Sequence, residues 1–505
     1  MSTPSAPASP DVLPAAVDAA QWVAEAQRRR EAGESLLALW ASDERDRAGG
    51  HALHAAYLDR GALAVLRLAL HGAAPRAPTI STWFPGAERM ERAAFDLVGT
   101  RTLGGGTRPW LRHAAWPADA HPLQRDFAAA PTDTGDDYAF VRVEGEGVHE
   151  IAVGPVHAGI IEPGHFRFSV VGEKVLRLEQ RLGYVHKGIE KRFEELAPAA
   201  GRRLAARVSG DSGVAYSWAY CMALEQACAL APPPRALALR ALALERERIA
   251  NHLGDLGALG NDAGFAFGLS QFMRLKEDLL RLNAAINGQR YWLDAIEPGG
   301  VAYELGAAHA DALVAQCAAL AAEVSLLREI YADHAGVQDR FAACGVLDTA
   351  LAARLGVLGF AARASGLPGD LRCDRAHAPY DQLAVRCAQR TEGDVAARVA
   401  VRFDEVLESL RLCRVLVETL PGGAARVELP PVPGERCGYG LVEGWRGPVF
   451  VALETAAGDR IRRCHPHDPS WQNWPALEHA VIGNIVPDFP LINKSFNLSY
   501  SGHDL

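Results

Sequence analysis

Between Glu194 and Ala295 four stretches follow one another, 194–208, 214–230, 234–259 and 271–295, each carrying apolar residues three and four positions apart. That spacing lines one face of an α-helix. Four such segments in succession commit the middle of the chain to a bundle of long helices packed by their apolar faces. Pro232-Pro233-Pro234 opens the third segment and Gly260 closes it, because proline is tolerated in a first helical turn and glycine accepts the backbone that ends one.

Around this core, 505 residues leave room for more than one domain, at roughly 150 residues per domain. The net charge is −9 and the pI about 6.0. Arg28-Arg29-Arg30 and the arginines at 460, 462 and 463 read as solvated faces, so a nucleic-acid partner is excluded. Nine cysteines without any C-x-x-C argue against a zinc or iron-sulfur site built by this chain alone. Scattered and odd in number, they fit free thiols in a reducing cytoplasm. Residues 1–16 lack a basic lead and an apolar run and read as a flexible tail. The most apolar helical stretch, around Leu313 to Leu327, carries Gln316 and Glu323 and reads as too short to cross a bilayer.

A small domain is expected over 17–127, opening with an amphipathic helix from about Val17 to Gly33; the run Ala62 to Leu70 reads equally as strand or helix. Residues 128–138 are polar, with Pro and Gly and no apolar period, and form the expected linker. The large domain, 139–505, begins with strand-like alternation from Ala139 to Val153, leading into a Gly- and Pro-rich hairpin tip that carries His157 and His165. A second hairpin is expected over 438–453, after a helix from Asp394 to Leu420.

Several motifs give this frame a chemistry. Arg207-Val-Ser209-Gly-Asp211-Ser212-Gly-Val-Ala-Tyr216 and Phe496-Asn-Leu-Ser499-Tyr-Ser-Gly502-His-Asp-Leu505 resemble the two metal-binding motifs of NiFe hydrogenase large subunits, R-x-C-G-x-C-G-x-x-H and D-P-C-x-x-C-x-x-[HR]. Ser209, Ser212, Ser499 and Gly502 stand where that resemblance puts cysteines. Serine offers a hard, protonated oxygen and glycine nothing, whereas nickel and iron are held there by soft thiolates. His186-Lys-Gly-Ile-Glu190-Lys is similar to the element whose glutamate relays protons in those enzymes, and desolvation is expected to raise the pKa of Glu190 toward neutrality. The plainer reading pairs Glu190 with Lys187 or Lys191. Glu91-Arg92-x-x-Phe-Asp96 resembles the small peripheral subunit of respiratory complex I and reads as a surface ion-pair network for docking. Gly154-Pro-Val-His157 resembles a loop that enters the quinone cavity of complex I, so His157, and with it His165, could line a cavity or be hydrogen-bonded structurally. Asp211, Tyr216, Asp370 and Arg372 are further cavity candidates. Tyr216 reads as well as a packed core residue, and the other pair as charges holding a loop. Glu245, Arg248, Asn251 and His252 read as an internal polar network.

The resemblance implies an α+β chain in which a small complex I peripheral-subunit domain is fused to a mainly helical, hydrogenase-like large domain with a β-hairpin loop and a small β unit. It implies an electron-transfer subunit of a complex I-like or hydrogenase-like assembly, peripheral on the cytoplasmic side of a bacterial inner membrane. A small partner subunit would carry a 4Fe-4S cluster, and other hydrophilic subunits and an integral-membrane arm would complete the complex. Electrons would pass to a quinone or other small acceptor without nickel-iron, with Glu190 and His157 handling protons. The alternative is a redox-silent adaptor that couples partners to the membrane arm.

Overall fold

The computed structural model describes residues 14–128 and 138–505 apart from 48, 60, 61, 73, 114, 115, 118, 159, 160 and 376. Most of the expected tail and most of the expected linker therefore lie outside the described residues.

The N-terminal part is a four-stranded sheet with one helix on it. β1 (Ala15–Val17) begins inside the expected tail and runs parallel to β4 (Ala62–His71); β2 (Ser35–Asp43) and β3 (Gly50–Asp59) complete the order β1-β4-β3-β2. The ambiguous run at 62–70 is thus strand. Helix α1 (Ala19–Glu31) starts at Asp18, whose carboxylate accepts from Gln21 N at 2.8 Å while the Gln21 side chain accepts from Asp18 N at 3.0 Å. This reciprocal cap satisfies amides the helix itself cannot. β5 (Arg76–Pro78) and β6 (Arg101–Leu103) pair in parallel around α2 (Ala87–Val98), which packs on β2. Glu91, Arg92 and Asp96 are buried, not on the surface. Asp96 accepts from the amides of Trp110, Leu111 and Arg112 and so fixes the turn that leaves the domain.

The large domain opens with the antiparallel meander β7 (Val148–Val153), β8 (His165–Val171) and β9 (Lys174–Arg181). Only the last six residues of the alternating run 139–153 form strand. α3 (Ile189–Phe193) ends before the first expected helix, which is found shortened to α4 (Pro198–Ala205) because Pro198 serves as its first-turn residue. α5 (Gly213–Ala227), α6 (Pro234–Asp262) and α7 (Ala266–Asn287) follow. α7 ends eight residues earlier than its periodicity suggests, at Gly288 in the left-handed conformation. β10 (Ile296–Glu297) and β11 (Gly300–Val301) make a short hairpin before α8 (Ala307–Asp333). At 27 residues, with an 18-residue stretch of mean hydropathy 1.5, α8 is long and apolar enough to cross a membrane by length and composition, contrary to the sequence reading. Its stripe Leu313, Cys317, Leu320, Val324, Leu327 and Tyr331 is buried, and the helix packs against α13 (Val395–Glu418), which lies beyond α9 (Ala335–Phe341), α10 (Thr349–Leu355), α11 (Gly359–Ala364) and α12 (Leu371–Asp374).

α6 is the axis of the core. It packs on α7 and on α13, and buries Leu239, Leu242, Leu253 and Leu256 completely or nearly so. The meander β12 (Cys437–Glu443), β13 (Pro448–Ala456) and β14 (Arg460–His467) lies against α5. That approach needs glycine: a Cβ on Gly440 would stand 1.7 Å from Ala219 O. On β14, Arg462 and Arg463 are buried beside carboxylates and form no solvated face. α14 (Ser470–Ala480), α15 (Phe489–Phe496) and α16 (Tyr500–Asp504) close the chain.

Cys373 and Cys387 are joined by a disulfide, whereas the sequence suggested free thiols throughout; the cysteines at 221, 228, 317, 344, 413, 437 and 464 are free. α13 is capped by Asp394, whose carboxylate accepts from Ala397 N and from Ala343 N, each at 2.8 Å. Asp394→Ala is expected to remove about 1–2 kcal/mol, read as a lower urea midpoint at unchanged slope.

Candidate functional site

Two distant loops meet in the centre of the large domain. The turn between α4 and α5 carries Ser209, Asp211 and Ser212, while Ser499 caps α16 and Gly502 lies in its first turn. Ser209 Oγ donates to Asp211 Oδ1 at 2.8 Å, so at its 2.8 Å contact with Ser499 Oγ it accepts and Ser499 donates. Ser499 in turn accepts from Gly502 N at 2.9 Å, as the cap of α16. Arg446, from the turn between β12 and β13, clamps Asp211 with two bonds of 2.8 and 2.6 Å, donates to Asn497 O and lies 3.9 Å over the Trp445 ring. The guanidinium holds the Asp211 carboxyl down, at about 2 against an ordinary 3.8, although burial alone would raise it. Asp211 keeps 38% of its side chain exposed, so this pair counts for less than a dry one.

These residues do not fit nickel and iron. The donors are hydroxyls, those of Ser209 and Ser499 in direct contact, and soft metals favour thiolates. A Cβ on Gly502 would sit 2.5 Å from Asp468 Oδ2. Asp468 is itself fixed, accepting from Tyr216 Oη at 2.8 Å and from Ser470 N at 2.8 Å. A cysteine at 502 would have to displace it. Tyr216 is accordingly a packed, fully buried residue.

Glu190 departs from expectation. Burial does push its carboxyl up, but Arg463 Nη2 at 2.7 Å and His465 Nδ1 at 2.8 Å outweigh burial and hold it at about 2. It is an ionised anchor near neutral pH and does not carry a proton there. Nor does it pair with its helix neighbours: Lys187 donates to Val208 O and Lys191 to Glu194. The pair sits in the seam with the N-terminal domain, beside Trp40, Met90 and Leu111.

His157 is held at the hairpin tip, its ring 5.6 Å from Phe166 and 6.4 Å from Tyr500. Its Nε2 is buried without a hydrogen-bond partner, and burial lowers its pKa, keeping the ring neutral. His165 points elsewhere, into a polar cavity of about 480 Å³ with Arg142, Arg167 and Tyr184. Asp370 borders a cleft of about 840 Å³ between the two parts of the chain.

Asp370 and Arg372 also belong to a dry charge cluster. Arg363 bonds Glu405 and Glu443, Arg372 bonds Asp370 and Glu245, and Arg248 stands 3.5 Å from Glu405. Tyr380 Oη and Ser409 Oγ donate to Glu245, and His252 Nε2 is 2.8 Å from Glu405 Oε2. The sequence identified Glu245, Arg248 and His252 as such a network; Asn251 instead donates to the backbone of Asp211. Four carboxylates here face three guanidiniums. Burial beside the neighbouring Asp370 pushes Glu443 up to about 7.

The sequence as a whole agrees with this geometry. Respiratory-chain NADH dehydrogenase, 49 Kd subunit, matches residues 262–436, and the 30 Kd subunit matches residues 15–133. Formate hydrogenlyase subunit 5 of Escherichia coli (strain K12) is 30% identical over 94% of this chain and 85% of its own length. The chain belongs to the complex I and membrane-bound hydrogenase large-subunit family. An NADH-quinone oxidoreductase subunit of Phocaeicola vulgatus is 28% identical over 77% of this chain and 78% of its own length. Among solved structures, a chain of the membrane-bound sulfane sulfur reductase, an archaeal respiratory membrane complex, shares the fold with a TM-score of 0.67 at 23% identity, covering 71% of this chain and 99% of that one. Ser209 and Ser212 on one segment and Ser499 and Gly502 on the other are brought together by the fold.

Proposed function

We propose that this chain is the large electron-transfer subunit of a membrane-associated oxidoreductase, taking electrons from a 4Fe-4S cluster in a small partner subunit and passing them to a quinone or other small acceptor without nickel-iron. The observation that carries the reading is the kept convergence of the two motif loops around a closed set of hydroxyls and the Asp211–Arg446 pair. The architecture of a redox subunit is retained while its donor set cannot hold the soft metals. The names of the relatives support the setting: formate hydrogenlyase, NADH-quinone oxidoreductase and a respiratory membrane complex. Other hydrophilic subunits and a membrane arm complete the assembly on the cytoplasmic face of the inner membrane.

Because Ser209 and Ser499 touch, the acceptor does not sit between them. The free Nε2 of His157 beside Tyr500 offers a hydrogen bond to a carbonyl oxygen, and the acceptor binds at that edge. The closed hydroxyl set also favours a second reading, a redox-silent adaptor holding partners to the membrane arm.

The intact complex, isolated in detergent from native membranes and reduced, decides between them. Electron paramagnetic resonance of the partner cluster is expected to show reoxidation on adding a soluble quinone, slowed by His157→Ala. A complex that assembles normally, but whose cluster no quinone or other small acceptor reoxidises, would establish the adaptor.

A further inference from the structure

One half-buried acid beside the closed site has no ion-pair partner among the described residues. Glu247, on α6, accepts from Val214 N at 2.7 Å and from Ala215 N at 3.2 Å, the first amides of α5. Among the described residues no lysine, arginine or histidine approaches it within salt-bridge distance. It lines a small enclosed cavity with Gly210, Asp211, Asn251, Asn283 and Tyr291. Asn251 Nδ2 donates both to Asp211 O at 2.8 Å and to Glu247 O at 2.9 Å, so the acid and the motif turn are tied together.

The charges around it are already committed. From α6, Arg248 turns to the carbonyls of Glu443 and Gly444. From the α4–α5 turn, Asp211 is held by Arg446. From α7, burial lowers the pKa of Lys276, whose field reaches Asp211 and Asp255, and Asp255 is held by Lys494 at 3.1 Å. None of these neutralises Glu247.

We infer that Glu247 is the proton-exchanging acid of this site: it rests protonated, hands that proton through water in the adjoining cavity toward negative charge arriving near Asp211, and is reprotonated from the same water. The exchange forms and breaks a single O–H bond and needs no other reactant. Burial pushes the Glu247 carboxyl up to about 8, against the pull of the two amides, and the neighbouring Asp211 adds to the rise. Glu190, locked by Arg463 and hydrogen-bonded to His465, cannot take this part. The inference rests on the proposed electron transfer for the charge that drives it, but the acid itself is tested without any electron donor.

Infrared spectra of the oxidised full-length chain, recorded from about pH 5 to about pH 9, read the protonated-carboxyl stretch directly. The wild-type protein is expected to show a component lost with a midpoint near 8, absent from Glu247→Gln and retained at a shifted frequency in Glu247→Asp. Stability gives a second reading. A carboxyl whose folded pKa is raised makes the protein less stable as pH climbs from about 4.5 to about 8, and Glu247→Gln is expected to lack that decline. Wild-type and Glu247→Gln spectra that superimpose, or a component titrating near 4.5, would overturn the inference and leave electron transfer untouched. A cluster that no acceptor reoxidises would overturn the electron-transfer reading and leave the titrating band in place.

Discussion

Arg363→Met is expected to cost the fold about 3–5 kcal/mol, because removing one partner from a dry ion network strands the charges it held. Arg363 is 1% exposed and donates to Glu405 at 2.6 Å, to Glu443 at 3.1 Å and to Gly369 O at 2.7 Å. The cluster already carries four carboxylates against three guanidiniums, so the variant leaves the same four acids facing two. Glu405 and Asp370 lose part of what holds their carboxyls low, while Glu443, already pushed up to about 7, rises further above its unfolded value, and through Glu443 stability falls as pH climbs through that window. The deficit is therefore expected to be larger at about pH 8 than at about pH 6. Urea denaturation of the full-length chain at both values measures it. A loss below about 1 kcal/mol at either would show that the cluster is not a single coupled unit.

Glu190 gives the second large effect, of opposite pH dependence. Its carboxyl is lowered from an ordinary 4.5 to about 2. A depressed carboxyl stabilises the fold above its unfolded pKa, and the contribution disappears as pH falls from about 4.5 toward about 2. At 1.36 kcal/mol per pKa unit that contribution is about 3 kcal/mol near neutrality. Glu190→Gln is expected to lose most of it, since Arg463 then sits 4% exposed without an anion. The variant's melting temperature should be well below wild type at neutral pH and converge on it in acid. Equal melting temperatures at neutral pH would contradict the ion-pair assignment and reopen Glu190 as a neutral acid.

The long helices were legible because their period is local: α6 is expected over 234–259 and found over Pro234–Asp262. The four motif positions were legible too, and they do converge. What was not legible came from partners far away in sequence. Arg446 lies 235 residues from Asp211 and His465 lies 275 from Glu190, and no spacing rule joins such positions. That is why the Glu190 shift runs opposite to the sequence expectation: burial can be anticipated, but the Arg463 guanidinium and the His465 hydrogen bond that reverse it cannot. Glu247 stands in plain view, four residues before Asn251 in Glu245-Arg-Glu247-Arg-Ile-Ala-Asn251. Only its missing partner, a fact of packing, sets it apart. The Cys373–Cys387 pair fits no cysteine motif and becomes visible only through the loop that folds back between them.

The account stands on the meeting point of the two loops offering serine hydroxyls and a glycine in place of thiolates. Elemental analysis of this chain within the complex purified from its own membranes tests that most directly. No nickel above background is the expected result, with any iron confined to the partner subunit; one nickel bound per chain would contradict it.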